Sequence, residues 1–238
     1  MEFTIDLATV MKMIRAEITV ARSQLESSGP LKAYQLALTR HDASLEQASD
    51  SPTLACKAGC AWCCHFSVDI RPVEALNILE HVQNQFTPNQ ITALRREMAS
   101  NSEILAPLDD IQRMQTTLKC PFLMEQQCSI YTARPQTCRN YHATDAAGCK
   151  QSFDEPNNLD IAPEFAPMVY QSGAAHLEAF AKTIQDSGYD HAAYELNSAM
   201  TELLANPEAT RQRFDAKLPT FVGFQGTDVA LEFIEEDE

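Results

Sequence analysis

Four of the chain's eight cysteines fall within nine residues, in Cys56-Lys57-Ala58-Gly59-Cys60-Ala61-Trp62-Cys63-Cys64. The other four follow at Cys120, Cys128, Cys138 and Cys149, and no thiol precedes Cys56 or follows Cys149. A buried cysteine is ordinarily a small apolar residue, but eight within 94 residues is a soft-metal pattern before it is anything else. Whatever this chain folds into must bring thiols together in its middle, with regular structure on either side.

Thiolates favour soft or borderline metals, and a Cys-x2-Cys spacing lets one turn of backbone present two sulfurs to one site. Cys60 and Cys63 have that spacing. Adjacent Cys63 and Cys64 point apart in most backbone conformations, so four ligands from the first segment alone would be strained. A composite arrangement fits better, with sulfurs from Cys56, Cys60, Cys63 and Cys64 completed by Cys120, Cys128, Cys138 and Cys149. Eight thiols suffice for two sites or for one polynuclear cluster. Cys120-Pro121 has the Cys-Pro step of bacterial ferredoxin ligation, which puts an iron-sulfur cluster slightly ahead of zinc.

The net charge of −15 argues against nucleic acid and against anionic membranes, both of which call for clustered Lys and Arg. No apolar run approaches the roughly 18 residues of a membrane span, and Met1 to Asp6 is acidic where a secretory leader is basic. The expected location is cytoplasmic, where structural disulfides are disfavoured. The expected partners are a metal ion or cluster and, beyond that, a protein.

Along the chain, Leu7, Val10, Met11, Ile14, Ile18, Ala21 and Leu25 recur at helical spacing until Ser28-Gly29-Pro30 supplies a stop. Leu31, Tyr34, Leu38 and Leu45 mark a second helix, so residues 1–50 read as a helical hairpin with an apolar face for later elements to cover. After the first cysteines, Phe66 to Ile70 alternates as a short extended segment, and Pro72 opens a helix buried through Leu76, Leu79 and Val82. Thr87-Pro88-Asn89-Gln90 is a capping box for the next, and a short helix is expected around Leu108 to Leu118. Periodicity is then lost from Cys120 to Cys149; an irregular stretch of that length is usually functional or tied down. Helices resume with a stripe from Phe165 to Ile184, then one capped by Asp190, then one opened by Asn206-Pro207. The fold class is mostly α, a helical domain with a central irregular cysteine-rich metal-binding segment. The expected layout is a hairpin at 1–50, a cysteine domain at 51–155, C-terminal helices packing on it at 156–217 and an acidic tail at 218–238.

Cys56-x3-Cys60-x-Trp62-Cys63 also matches the cluster-binding signature of radical S-adenosylmethionine enzymes. Those enzymes need strands of a partial α/β barrel after the motif, and helices follow here, so that reading is set aside. The order Cys-x3-Cys-x2-Cys-Cys, Cys-Pro-Phe-Leu, Cys-Ser-Ile-Tyr-x2-Arg-Pro-x2-Cys-Arg-x-Tyr over residues 50–150 resembles the YkgJ-like cysteine-cluster family of zinc- or iron-chelating domains. The chain departs from that family's commoner Cys-x2-Cys-x2-Cys-Cys by one residue inserted between Cys56 and Cys60. Cys56, because of that altered spacing, and Cys149, because it lies beyond the most distinctive motif, are expected to be the most tolerant of replacement. A related region occurs in flagellin lysine methylases, where the resemblance implies an iron-sulfur cluster; those enzymes are longer.

Among the neighbours, Arg134 and Arg139 read first as loop-fixing arginines, with neutralisation of thiolate charge or binding of an anionic substrate as the alternative, Tyr131, Tyr141 and Trp62 as a water shield, and His65 and His142 as hydrogen-bond donors behind the thiols. Three function classes remain: a metal-binding protein, a cluster-dependent protein-modifying enzyme, and a helical interaction protein with a structural zinc site. No nucleotide loop, His-Glu-x2-His helix or Ser-His-Asp set favours a familiar enzyme.

Overall fold

A computed structural model describes residues 7–57 and 59–223. It is mostly helical, with ten α-helices and four two-residue strands among the described residues. Helix α1 (Leu7–Ser28) and α2 (Pro30–Gln47) meet at Gly29, whose φ of 79° is open to glycine, and Pro30 occupies the first turn of α2 where its missing N–H costs nothing. The hairpin is pinned by Arg40, whose Nε and Nη2 donate to the two carboxylate oxygens of Glu17 at 2.8 and 2.5 Å.

Strand β1 (Asp69–Ile70) ends in Pro72, which opens α3 (Pro72–Gln85). The capping box is formed as the sequence requires: Gln90 N–H donates to Thr87 Oγ1 at 3.4 Å and Thr87 N–H to Gln90 Oε1 at 2.8 Å, opening α4 (Pro88–Leu105). The short helix expected around Leu108 to Leu118 is one turn, α5 (Asp110–Met114), with Asp109 accepting from Gln112 N–H at 2.8 Å.

The stretch from Cys120 to Cys149 is a string of short elements rather than one irregular loop. It holds a hairpin of β2 (Leu123–Met124) and β3 (Gln127–Cys128), a 3-10 turn at Tyr131–Ala133, α6 (Gln136–Asn140) and α7 (Ala146–Asp154). Glu125 and Gln126 turn the hairpin with φ of 50° and 62°, the geometry of a tight primed turn. Elements of two, five and nine residues are too short to leave a periodic signal, which is why the sequence reads as irregular here.

Helix α8 (Pro167–Asp186) lies across α1 and α2 and covers the hairpin's apolar face. Ala175 and Ala179 pack on Ile14, and Phe180 meets the buried ring of Tyr34 at 5.2 Å. Strand β4 (Tyr194–Glu195) pairs antiparallel with β1 and feeds α9 (Leu196–Ala205), which packs on α3 and α4; α10 (Pro207–Asp215) closes the core with Phe214. The cap of α9 is Glu195, whose carboxylate accepts from Asn197 and Ser198 N–H at 2.9 and 2.8 Å. This corrects the assignment to Asp190, which instead accepts from Ala192 N–H, Tyr194 O–H and Thr220 N–H and so ties the chain's far end to β4. The acidic readings at Met1 to Asp6 and from Asp228 onward lie outside the described residues.

One close approach sets where α6 sits. A Cβ on Gly173 of α8 would stand 1.7 Å from Asn140 Oδ1 and 3.0 Å from Nε2 of the fully buried His41. Gly173→Ala should therefore cost about 1–3 kcal/mol in urea denaturation, as overpacking does. The same substitution in an Asn140→Ala background should cost less than half as much. Equal costs in both backgrounds would mean that Asn140 is not the obstacle.

Burial pushes the pKa of His41 down to about 3, with repulsion from His176 and Arg139 adding to it. Between there and the ordinary value of 6.5 the unfolded chain binds a proton that the folded chain excludes, so stability is full above that value and falls as pH drops below it. His41→Gln should flatten this acid-side slope between about pH 6.5 and 4.5. An unchanged slope in denaturation midpoints would exclude His41 as its source.

Candidate metal centre

The first cysteine segment is irregular but held by its backbone. Cys60 N–H donates to Lys57 O at 3.0 Å beside Gly59, whose φ is 88°. The chain then enters a 3-10 turn, Trp62–His65, that carries Cys63 and Cys64. Two later segments dock on this turn. In the first, Cys120 N–H donates to Cys64 O and Leu118 N–H to His65 O, both at 2.8 Å, which brings Cys120 alongside the turn. The β2–β3 hairpin then sets Cys128 opposite Leu123, and Ser129 N–H and Oγ both donate to Phe122 O at 2.8 and 2.9 Å.

In the second segment Ala55 N–H donates to Ala143 O at 2.8 Å, and Ala143 N–H points at Cys56 Sγ at 3.4 Å. Asp145 caps α7 by accepting from Ala147 and Gly148 N–H at 2.8 and 2.9 Å, and α7 carries the buried Cys149. Phe153 of α7 sits against the rings of Trp62 at 5.3 Å and His65 at 4.9 Å, so α7 lies directly on the turn.

Cys138 rides on α6, and α6 is anchored twice. Glu74, 5% exposed, accepts from Gln136 N–H at 2.9 Å, from Tyr34 O–H at 3.1 Å and from Arg71 N–H at 2.7 Å, so one carboxylate joins α2, α3 and α6. Arg139, 2% exposed, donates through Nη1 to both oxygens of Asp42 at 2.6 and 2.5 Å, through Nε to Arg134 O at 3.1 Å, and through Nη2 to Thr132 O. Arg139 is thus a loop-fixing residue.

Arg134 has a different role. Its guanidinium lies 3.8 Å over the Tyr131 ring, its Nε is buried without a hydrogen-bond partner, and its charge acts on Cys56, Cys63 and Cys128. Its charge favours the thiolate form of those three thiols, as that of Arg139 also does for Cys128. Tyr131 itself is 63% exposed, so it supports Arg134 rather than excluding water. Trp62 is half-buried against Phe153, and Tyr141 stacks edge-on with Phe165 at 5.4 Å. His65 Nδ1 bonds Ala61 O at 3.0 Å, a second-row role, whereas both ring nitrogens of His142 are buried with no partner among the described residues.

All eight cysteines are free thiols. Burial raises the pKa of Cys56 and Cys128, lifts Cys149 to about 11 and Cys120 to about 12, and holds Cys138 well above its ordinary value. Cys63 is pushed far from thiolate by its hydrogen bond with Cys64 and then by burial. The backbone hydrogen bond from Cys120 N–H to Cys64 O is what brings the two sequence segments together.

No three Cys, His, Asp or Glu side chains among the described residues surround a common point at ligand distance. The donor set nonetheless fits a soft metal: sulfur from both segments, no competing buried lysine, and a cation opposite. Binding would displace thiol protons and draw the sulfurs together. Sequence reasoning missed Glu74 and Asp42, isolated acidic residues whose only signal is tertiary.

Arg139→Lys keeps the charge but loses the fork that spans Asp42 and two carbonyls. It should destabilise the protein by about 2–3 kcal/mol, the scale of hydrogen bonds to a charged group, in urea denaturation followed by circular dichroism. A loss under about 0.5 kcal/mol would show that α6 is held without it.

Residues 55–161 match a family model described as "CxxCxxCC: Putative zinc- or iron-chelating domain". Comparison with curated proteins and with solved structures found no match.

Proposed function

We propose that this chain, whose residues 55–161 belong to the CxxCxxCC zinc- or iron-chelating family, is a metal-binding protein. Its metal is held by one composite centre made from both cysteine segments. The observation that carries the reading is the docking of the Cys120 backbone and of the Cys149 helix on the turn that bears Cys63 and Cys64. Neither segment alone supplies a compact four-sulfur set; together they supply eight. Iron, as an iron-sulfur cluster, is the first candidate because of the Cys120-Pro121 step, and zinc the second. When bound, an iron-sulfur unit would supply an electron-carrying group and zinc a redox-inert tether for the segment.

The chain's own residues define the rest of the site. Arg134 offsets thiolate charge, Arg139 and Glu74 keep α6 in place, and Trp62 with Phe153 walls one side from water. Nothing in the site resembles a set of catalytic acids, bases or nucleophiles, so metal holding is the function supported best. The metal then either stabilises the domain or passes to a protein partner.

Elemental analysis of anaerobically purified protein tests this. Iron with acid-labile sulfide and a visible sulfur-to-iron band is the expected result, stoichiometric zinc in colourless protein would select the second metal, and neither metal at stoichiometric level would overturn the reading. Cys60→Ser, Cys63→Ser, Cys120→Ser and Cys138→Ser should each lower metal per chain, because serine is a poor ligand for a soft ion. A flat series with only modest stability losses would return the cysteines to the role of packing residues.

A further inference from the structure

A ladder of three aromatic rings runs from the segment bonded to Cys56 to the start of α8. Tyr141 meets Phe165 edge-on at 5.4 Å, and Phe165 meets Tyr170 at 5.7 Å. Tyr141 is 36% exposed and Tyr170 43%, with Phe165 half-buried between them. Single exposed apolar residues are ordinary, but contiguous exposed rings mark a surface that something can cover. Hydrogen bonds hold the rungs in register. Thr144 N–H donates to Glu164 O at 2.8 Å, which sets the segment of Tyr141 against that of Phe165. Asp50 accepts from Met168 and Val169 N–H at 2.7 and 3.0 Å, beside Tyr170 in the first turn of α8.

The frame of the ladder carries one sign of charge. Residues 48–54, 141–145 and 164–170 hold the carboxylates of Asp50, Asp145 and Glu164 and no Lys or Arg. Asp145 and Glu164 are exposed, and none of the three pairs with a Lys or Arg among the described residues. Rings beside unpaired carboxylates complement guanidinium and ammonium groups, which stack on an aromatic face and pair with an acid. We propose that the Tyr141, Phe165 and Tyr170 ladder is a docking surface for an Arg- or Lys-bearing segment of a protein partner, with Asp50, Asp145 and Glu164 pairing at its rim. A second copy of this chain would bring the same rim and the same net charge of −15, so like charges oppose it. Nucleic acid and anionic lipid are opposed for the same reason. The proposal does not rest on the metal-binding reading. Ala143 joins the ladder's first segment to Cys56, which is exposed, so a partner seated here lies beside that thiol.

The test is binding of a fluorescein-labelled synthetic peptide of alternating Arg and Ser to the full chain, followed by anisotropy at physiological ionic strength. Wild type should bind it and should not bind the same peptide with Glu in place of Arg. Tyr170→Ala, at an exposed position on α8, should weaken binding about fivefold, the scale of an exposed cation–π contact, and Tyr141→Ala by a similar factor. Glu164→Gln should weaken it about twofold, whereas Glu208→Gln, which removes the same charge from α10, should leave it unchanged. Should Tyr141→Ala lose its helical circular dichroism, Tyr170→Ala and Glu164→Gln decide the matter. Equal affinity in wild type, Tyr170→Ala and Glu164→Gln would overturn the proposal, because net charge alone would then draw the peptide. So would no binding by wild type, or equal binding of the Glu peptide. A dimer in sedimentation that Tyr170→Ala disperses would give the ladder to a second copy and overturn the basic partner. Metal content is measured separately, so none of these outcomes bears on the metal-binding reading.

Discussion

The centre depends on one backbone contact, the 2.8 Å hydrogen bond by which Cys120 N–H finds Cys64 O. Everything between those two residues is helical traffic: β1, α3, α4 and α5 leave the turn and come back to it. The return is accurate because α3 and α4 are packed by α9 through Leu76, Leu79, Leu94, Met98, Met200 and Leu203, a rigid apolar block that fixes where residue 118 emerges. A cysteine site on so short a contact needs that block, since a loop of this length closing alone would face a large entropy cost.

The outer helices serve the same end. Helix α8 fills the hairpin of α1 and α2, and through Gly173 it sets the position of Asn140 and hence of α6. Arg139 and Glu74 complete that chain of dependence by tying α6 to α2 and α3 with buried, charge-assisted hydrogen bonds. A polar contact of this kind is directional in a way that apolar packing is not, so it fixes the orientation of α6, which carries Cys138. The helices that read as mere packing are therefore part of how the thiols are placed.

Burial of the thiols and the positive charge of Arg134 act in opposite senses. Desolvation keeps a metal-free sulfur protonated, while the guanidinium favours the thiolate that a metal requires. On the metal-binding proposal, such a site would have a countercharge ready for the thiolates that a metal requires. Proton release on loading follows from the same balance.

The sequence by itself determined the helices that run for three or more turns, the stop at Gly29-Pro30, the box at Thr87 and Gln90, and the identity of the eight thiols, because each is written in local spacing or in a residue type with one strong chemical preference. It also pointed to loop-fixing for Arg139. Only the tertiary structure decided that Glu195 rather than Asp190 caps α9, that Tyr131 carries a cation instead of shielding the site, and that the helix bearing Cys149 packs on the turn of Cys63 and Cys64. Those outcomes turn on elements of two to nine residues and on single side chains meeting across the chain. A short element leaves no period to read, and a pair of residues nearly a hundred positions apart meets only when the intervening core has packed.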